Sequence, residues 1–203
     1  MVKKIVPEGK FLIAPLVFLA ARLSLVLSLP YEGIKGYGDL GHFFRLAEMG
    51  WPFRDYWVEY PPFFPALSRV IYLASGQLES RYETLIILVL SLAQAGAIAA
   101  FQILASRRWS EQDGQRRVWV YSIFSVSLAY TWWNFDVLAL LFLILGLIWI
   151  MDARQAAAGL AIGLGILTKF FPALALVVAW RFQTPRRATL ITALALGLAL
   201  GSY

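Results

Sequence analysis

Apolar residues come in long runs in this chain, and the runs constrain its fold more than their total does. From Phe11 to Leu29 only Arg22 carries a charge. A run of about 20 such residues matches one helix across the hydrocarbon core of a bilayer. Comparable runs recur to the end of the sequence. Of the 203 residues, 60% are hydrophobic and 15% charged, whereas a soluble domain carries about 25% charged residues. The pattern predicts an all-α integral membrane protein, a multi-span helical bundle, because a helix satisfies its own backbone hydrogen bonds where water is absent.

Spans are expected at about 11–29, 82–105, 118–132, 135–151, 156–168, 170–180 and 188–203, as a single transmembrane domain over 1–203. An external loop with interfacial helices should occupy 30–81. The first run is longer than a signal-peptide core, and no small-x-small site precedes Tyr31, so it reads as a retained span. Within 156–180, Lys169-Phe170-Phe171-Pro172 is expected to hinge two short helices into a hairpin, with Gly159, Gly163 and Gly165 allowing close packing. That topology puts eleven basic and four acidic residues on one side, against six basic and eight acidic on the other. Cytoplasmic loops are the basic ones, so the N-terminus is expected in the cytoplasm. The net charge of +6 is thereby read as orientation bias, not as a nucleic-acid surface.

The polar interruption, GYGDLGHFFRLAEMGWPFRDYWVEYPPFFPAL from Gly36 to Leu67, falls in the external loop. It concentrates Asp39, His42, Glu48, Asp55 and Glu59 among aromatic rings. Asp39, between Gly38 and Gly41, suits either a helix N-cap or a general base that takes a proton from an acceptor hydroxyl. The helix it starts is expected to run to about Met49, with His42, Phe43, Leu46 and Ala47 as its membrane-surface face. Asp55, Tyr56, Glu59 and Tyr60 pair carboxylates with rings, as carbohydrate recognition requires, or form an interfacial aromatic belt with turn prolines. Asp136 opens a later span at the same predicted side, as a substrate contact or a helix cap. Lys169, at the hinge, suits a lipid-linked phosphate or simple snorkelling. Arg22, Arg45, Arg54 and Arg69 are alternative phosphate contacts. The basic stretch from Arg107 to Arg117 reads as a topology anchor touching lipid headgroups. With no cysteine and a single histidine, thiolate and multi-His metal sites are excluded. No cofactor is expected, although a divalent metal on carboxylates stays open.

Three features in this order resemble the GT-C glycosyltransferases, especially the polyprenol-phosphate-mannose-dependent mannosyltransferase-like families of bacteria and archaea. They are the loop aspartate, the Tyr60-Pro61-Pro62 entry to the next apolar segment, and the hairpin of Gly159, Gly163, Gly165, Lys169 and Pro172. The resemblance implies inverting transfer of a hexose, mannose among the options, from a polyprenyl-phosphate carrier to a lipid, glycan or protein acceptor outside a prokaryotic plasma membrane. Asp39 matches the family's loop acid, and Lys169 matches the hairpin lysine by position. Such enzymes usually have further spans, so the chain is expected to be an N-terminal portion, or half of a split enzyme completed by a second chain. A transporter or flippase for a lipid-linked solute and a non-catalytic subunit are the rival readings. Charges crowded at one end, without an inverted repeat, speak against transport.

Overall fold

A computed structural model describes residues 12–30, 32, 38–127 and 132–201. Among these residues the chain is helical, without β-strands. In chain order the helices are α1 (Ile13–Ser28), α2 (Leu40–Glu48), α3 (Phe63–Ala74), α4 (Glu79–Arg108), α5 (Glu111–Ser127), α6 (Asp136–Met151), α7 (Gln155–Thr168), α8 (Leu174–Phe182) and α9 (Pro185–Leu200). α4, at 30 residues, is the one helix among them long and apolar enough by itself to cross a membrane; α1, α3, α6 and α7 are apolar but shorter. The expected span at 118–132 and part of that at 188–203 reach residues outside those described.

α4 is the axis. α1, α5 and α6 pack along it, and α2 and α3 cover its N-terminal end. α7 lies between α6 and α9, and α8 returns against α9 and α6. Local chemistry sets several boundaries. Leu29 turns extended, with φ −86° and ψ 138°, because the following Pro30 disfavours helical geometry at the residue before it. α9 begins with Pro185, whose fixed φ and missing N–H suit a first helical position. α5 starts at Glu111, seven residues before the span expected from Val118. Ser110 stops the preceding loop from extending: its Oγ accepts the Asp113 N–H at 3.2 Å and donates to the Asp113 carboxylate at 2.8 Å, an N-cap arrangement.

The packing of α7 on α9 depends on small residues. A methyl on Gly159 would come 2.7 Å from Leu194 Cβ, and one on Gly163 would sit 3.1 Å from the Ala195 carbonyl oxygen. Gly165 faces Pro172 across the hinge, where an added Cβ would lie 2.7 Å from the proline ring. After a 3₁₀ turn at Phe171–Ala173, α8 runs back far enough for Gln183 Nε2 to donate to the Ile150 carbonyl at 2.9 Å. Residues 150 and 183 therefore share an end of the bundle. Arg107 joins that end through paired bonds to Asp152 at 2.9 and 3.3 Å. The opposite end holds the start of α4, the start of α6 and the Lys169 hinge.

Candidate functional site

α2 presents the first group of polar side chains. Asp39, His42 and Arg45 recur every three residues, which places them on one helical face. That face lines an open cleft of about 730 Å³, completed by Glu32, Gly38, Gly41 and Glu79. Asp39 occupies the N-cap position of α2, but its carboxylate makes no capping bond. It is exposed toward the cleft. The expectation of a membrane-surface face containing Phe43 and Ala47 is corrected: both are buried in the bundle. Phe43 meets Phe64 edge-on at 4.9 Å, Phe135 at 5.9 Å and Tyr60 at 6.2 Å between ring centroids. Removing the whole Phe43 ring from water among other rings is favourable and draws this face inward.

Gly38 fixes where Asp39 sits. Its φ is +57°, and a side chain there would fall on the indole of Trp133. Only glycine tolerates both the left-handed backbone and the contact. The start of α2 is thus pressed against the turn that leads into α6, two residues before Phe135.

Lys169 and Asp136 form the second group. Lys169 Nζ pairs with Asp136 Oδ1, and both side chains remain partly exposed. The ammonium also lies 5.5 Å over the Phe135 ring. The capping role considered for Asp136 belongs to Asn134, whose Oδ1 accepts the Asp136 N–H at 2.9 Å. Asp136 is thereby left to its lysine.

Tyr60 connects the groups. Its ring packs edge-on against Phe135 at 5.3 Å. Burial, then the charge and hydrogen bond of neighbouring Glu59, then the charge of Asp39, hold its hydroxyl above the usual phenol range. Tyr60 is therefore a neutral phenol at physiological pH, able to donate and to accept. The contact of Gly38 with Trp133, and the packing of Tyr60 and Lys169 on Phe135, put the loop acid and the hinge lysine at one end of the bundle.

Other candidates sit differently. The Asp55 carboxylate accepts the Trp51 N–H at 2.7 Å and lies against Gly50, so it closes the Trp51–Asp55 turn. Tyr56 points inward, lining a small gap with Phe43, Leu46, Phe64 and Ser68. Burial raises its hydroxyl and Arg69 opposes that shift. Among the arginines, Arg69 donates to the Ala47 carbonyl at the end of α2 at 2.6 Å and stacks on Tyr72 at 5.1 Å. Arg22 is buried, donates to the Ser125 carbonyl and lies 5.3 and 5.5 Å from the rings of Phe18 and Trp132. Arg54 is exposed beside Asp55 at 3.9 Å. Arg45 alone of these four lines the cleft.

Glu79, the contact of Trp133 with Gly38 and the bridging role of Phe135 escaped the sequence reading. Nothing local marks Glu79 as a partner of a loop forty residues earlier; only the turn of α3 onto α4 brings it there. Gly38 was a signal for close approach, although it did not name Trp133. Among the described residues no cluster of three or more His, Cys, Asp or Glu side chains is placed to hold a metal ion.

No curated protein and no solved structure matches the chain significantly. The family model described as glycosyltransferase family 87 matches residues 57–203. Glu59, Tyr60, Asp136 and Lys169 fall inside the match, whereas Asp39, His42 and Arg45 precede it. With most of its length matched, the chain belongs to glycosyltransferase family 87 and is a glycosyltransferase.

Proposed function

We propose that this protein transfers a sugar from a polyprenyl-phosphate carrier to an acceptor hydroxyl at the extracytoplasmic face of a membrane, with inversion at the anomeric carbon. The observation that carries the reading is the placement of Asp39 and Lys169 at one end of an apolar bundle, through the Gly38–Trp133 contact and the packing of Lys169 over Phe135. That end carries Asp39, Glu59, Glu79 and Asp136, and the opposite end carries Arg107, Arg108, Arg116 and Arg117, which agrees with the basic end being cytoplasmic. In this reading the shorter apolar helices cross the membrane together with α4.

The chemistry requires one proton acceptor and one anion stabiliser. The acceptor oxygen attacks the anomeric carbon while its proton passes to Asp39. The bond from that carbon to the carrier phosphate breaks, and the electron pair leaves on the phosphate oxygen. Lys169 meets the growing charge, as a preorganised cation lowers the cost of a developing anion. Asp136 holds the ammonium in place before the donor arrives. His42, Glu59 and Tyr60 line the acceptor side, with Tyr60 able to bond a sugar hydroxyl in either sense. Asp55 and Tyr56 shape the loop. The lipid tail enters from the bilayer, and the product lipid is the free polyprenyl phosphate.

The test is an assay of membranes carrying the protein, supplied with radiolabelled polyprenyl-phosphate hexoses in one arm and nucleotide hexoses in the other. Label should move to acceptor only from the lipid-linked donors. Transfer from nucleotide sugars alone would overturn the donor assignment. Uptake of a lipid-linked solute without covalent product would favour transport instead.

A further inference from the structure

A second concavity lies far from Asp39. α5 and α6 both pack on α4 but scarcely touch each other. The groove between them has a volume of about 670 Å³, with Phe101 of α4 as its floor and Val120, Leu140 and Ile144 on its walls. Arg116 and Arg117 stand at one end. We infer that this groove binds one anionic phospholipid of the bilayer, its acyl chain along the apolar walls and its phosphate against Arg116 and Arg117. The inference rests on the membrane placement proposed above.

Polarity in the groove is graded along α5. Arg116 and Val120 are four residues apart and share a face, which exposed Ile123 continues. The lining from Asp113 to Tyr121 extends roughly 12 Å at the rise of an α-helix. Charge at one end and hydrocarbon below it is the shape of a phospholipid, not of a free anion. Arg117 is steadied 4.6 Å over the Trp109 ring. Arg116 forms no ion pair with the described residues. Asp113, the one acid on the lining, is already held by Ser110 at 2.8 Å. Tyr121 is likewise engaged, accepting from Gln94 at 2.7 Å. The positive charge at the mouth is therefore available to a lipid phosphate. The sugar-carrying lipid is a poor candidate for the occupant: α6 runs from Asp136 beside Lys169 to the Asp152 that meets Arg107, roughly 24 Å, so a phosphate held by Arg116 and Arg117 near the Arg107 end would not reach Lys169.

Native mass spectrometry of the full chain in detergent, titrated with phosphatidylglycerol or phosphatidylcholine, tests the assignment. One phosphatidylglycerol should be retained more tightly than phosphatidylcholine. Arg116→Gln and Arg117→Gln should each weaken it roughly fivefold, whereas Arg186→Gln with Arg187→Gln should not. Val120→Trp, at an exposed position that the fold tolerates, should block the groove to both lipids. Equal retention of the two lipids, or tight phosphatidylglycerol binding that survives both arginine changes, overturns the proposal. Displacement by inorganic phosphate, or a second polypeptide found in the groove, overturns it too. Alkaline carbonate extraction separates the two readings. A chain that leaves the membrane refutes the membrane placement; one that stays but ignores the lipids refutes only this site.

Discussion

The two ends of the bundle use charge in opposite ways. At the Arg107 end several polar side chains close upon the protein itself. Arg107 clasps Asp152 with two bonds, Ser110 holds Asp113, and Gln183 ties α8 to α6. At the Lys169 end, Asp39 leaves its capping position unused, Glu59 lies beside the Tyr60 hydroxyl, and the Lys169–Asp136 pair stays partly open to solvent. One end fastens helices together and keeps Arg116 and Arg117 at the rim of an apolar groove; the other holds acids and a cation beside an open, polar cleft. Where polar groups are left uncommitted beside a cleft, function is the economical explanation.

The comparison is broken most severely at Asp39. Asp39→Asn keeps the shape of the side chain and removes its basicity. It should lower the turnover of sugar transfer by about 10²–10⁴-fold, the range for loss of a general base. Thermal stability should hardly change, because the carboxylate caps nothing. Normal turnover at normal expression would remove Asp39 from the chemistry. Lys169→Met follows, with an expected loss of about 10²–10³-fold, typical of removing one group that stabilises a developing anion. Lys169→Arg should recover part of it. Comparable turnover in Lys169→Met and wild type would mean that the ion pair with Asp136 is only a hinge clasp.

How much of this was legible in the sequence depends on the distance over which each signal acts. The apolar runs marked the helices, and the small residues at 159, 163 and 165 marked a close-packed pair, because those signals are local. Their partner was not marked: nothing in Gly159 or Gly163 points to Leu194 and Ala195 rather than to another helix. The candidate residues were visible as types, but their division was not. Asp55 and Asp39 look equivalent in a loop rich in acids, yet Asp55 turns back to the Trp51 N–H while Asp39 faces the cleft. A carboxylate three or four residues from a free backbone N–H has two possible fates, and tertiary packing chooses between them. Arg69 illustrates the same point, since the carbonyl it meets at the end of α2 lies 22 residues away in sequence.

Gly38 offers a way to damage the open end without touching a reactive group. Gly38→Val forces a branched residue into a left-handed backbone and onto Trp133. Such strain and overpacking cost about 1–3 kcal/mol. The cost should appear as a lower melting temperature together with reduced turnover, since the start of α2 must move and Asp39 moves with it. If stability fell while turnover per folded molecule stayed constant, Trp133 would have no part in positioning the acid.

The smallest effect should come from the closed end. Arg107 and Asp152 are partly exposed, at 23% and 30% of their side-chain surface, so solvent screens their attraction and the pair contributes at most about 1 kcal/mol. Arg107→Ala, Asp152→Ala and the double variant form a thermodynamic cycle read by thermal unfolding in detergent. The coupling should be small, and sugar transfer by each folded variant should match wild type within a factor of about two, because the pair stands a helix length from Lys169. A marked loss of turnover in Asp152→Ala without loss of stability would show that charge at this end also acts on the reaction. The division between a fastening end and a working end would then no longer describe the molecule.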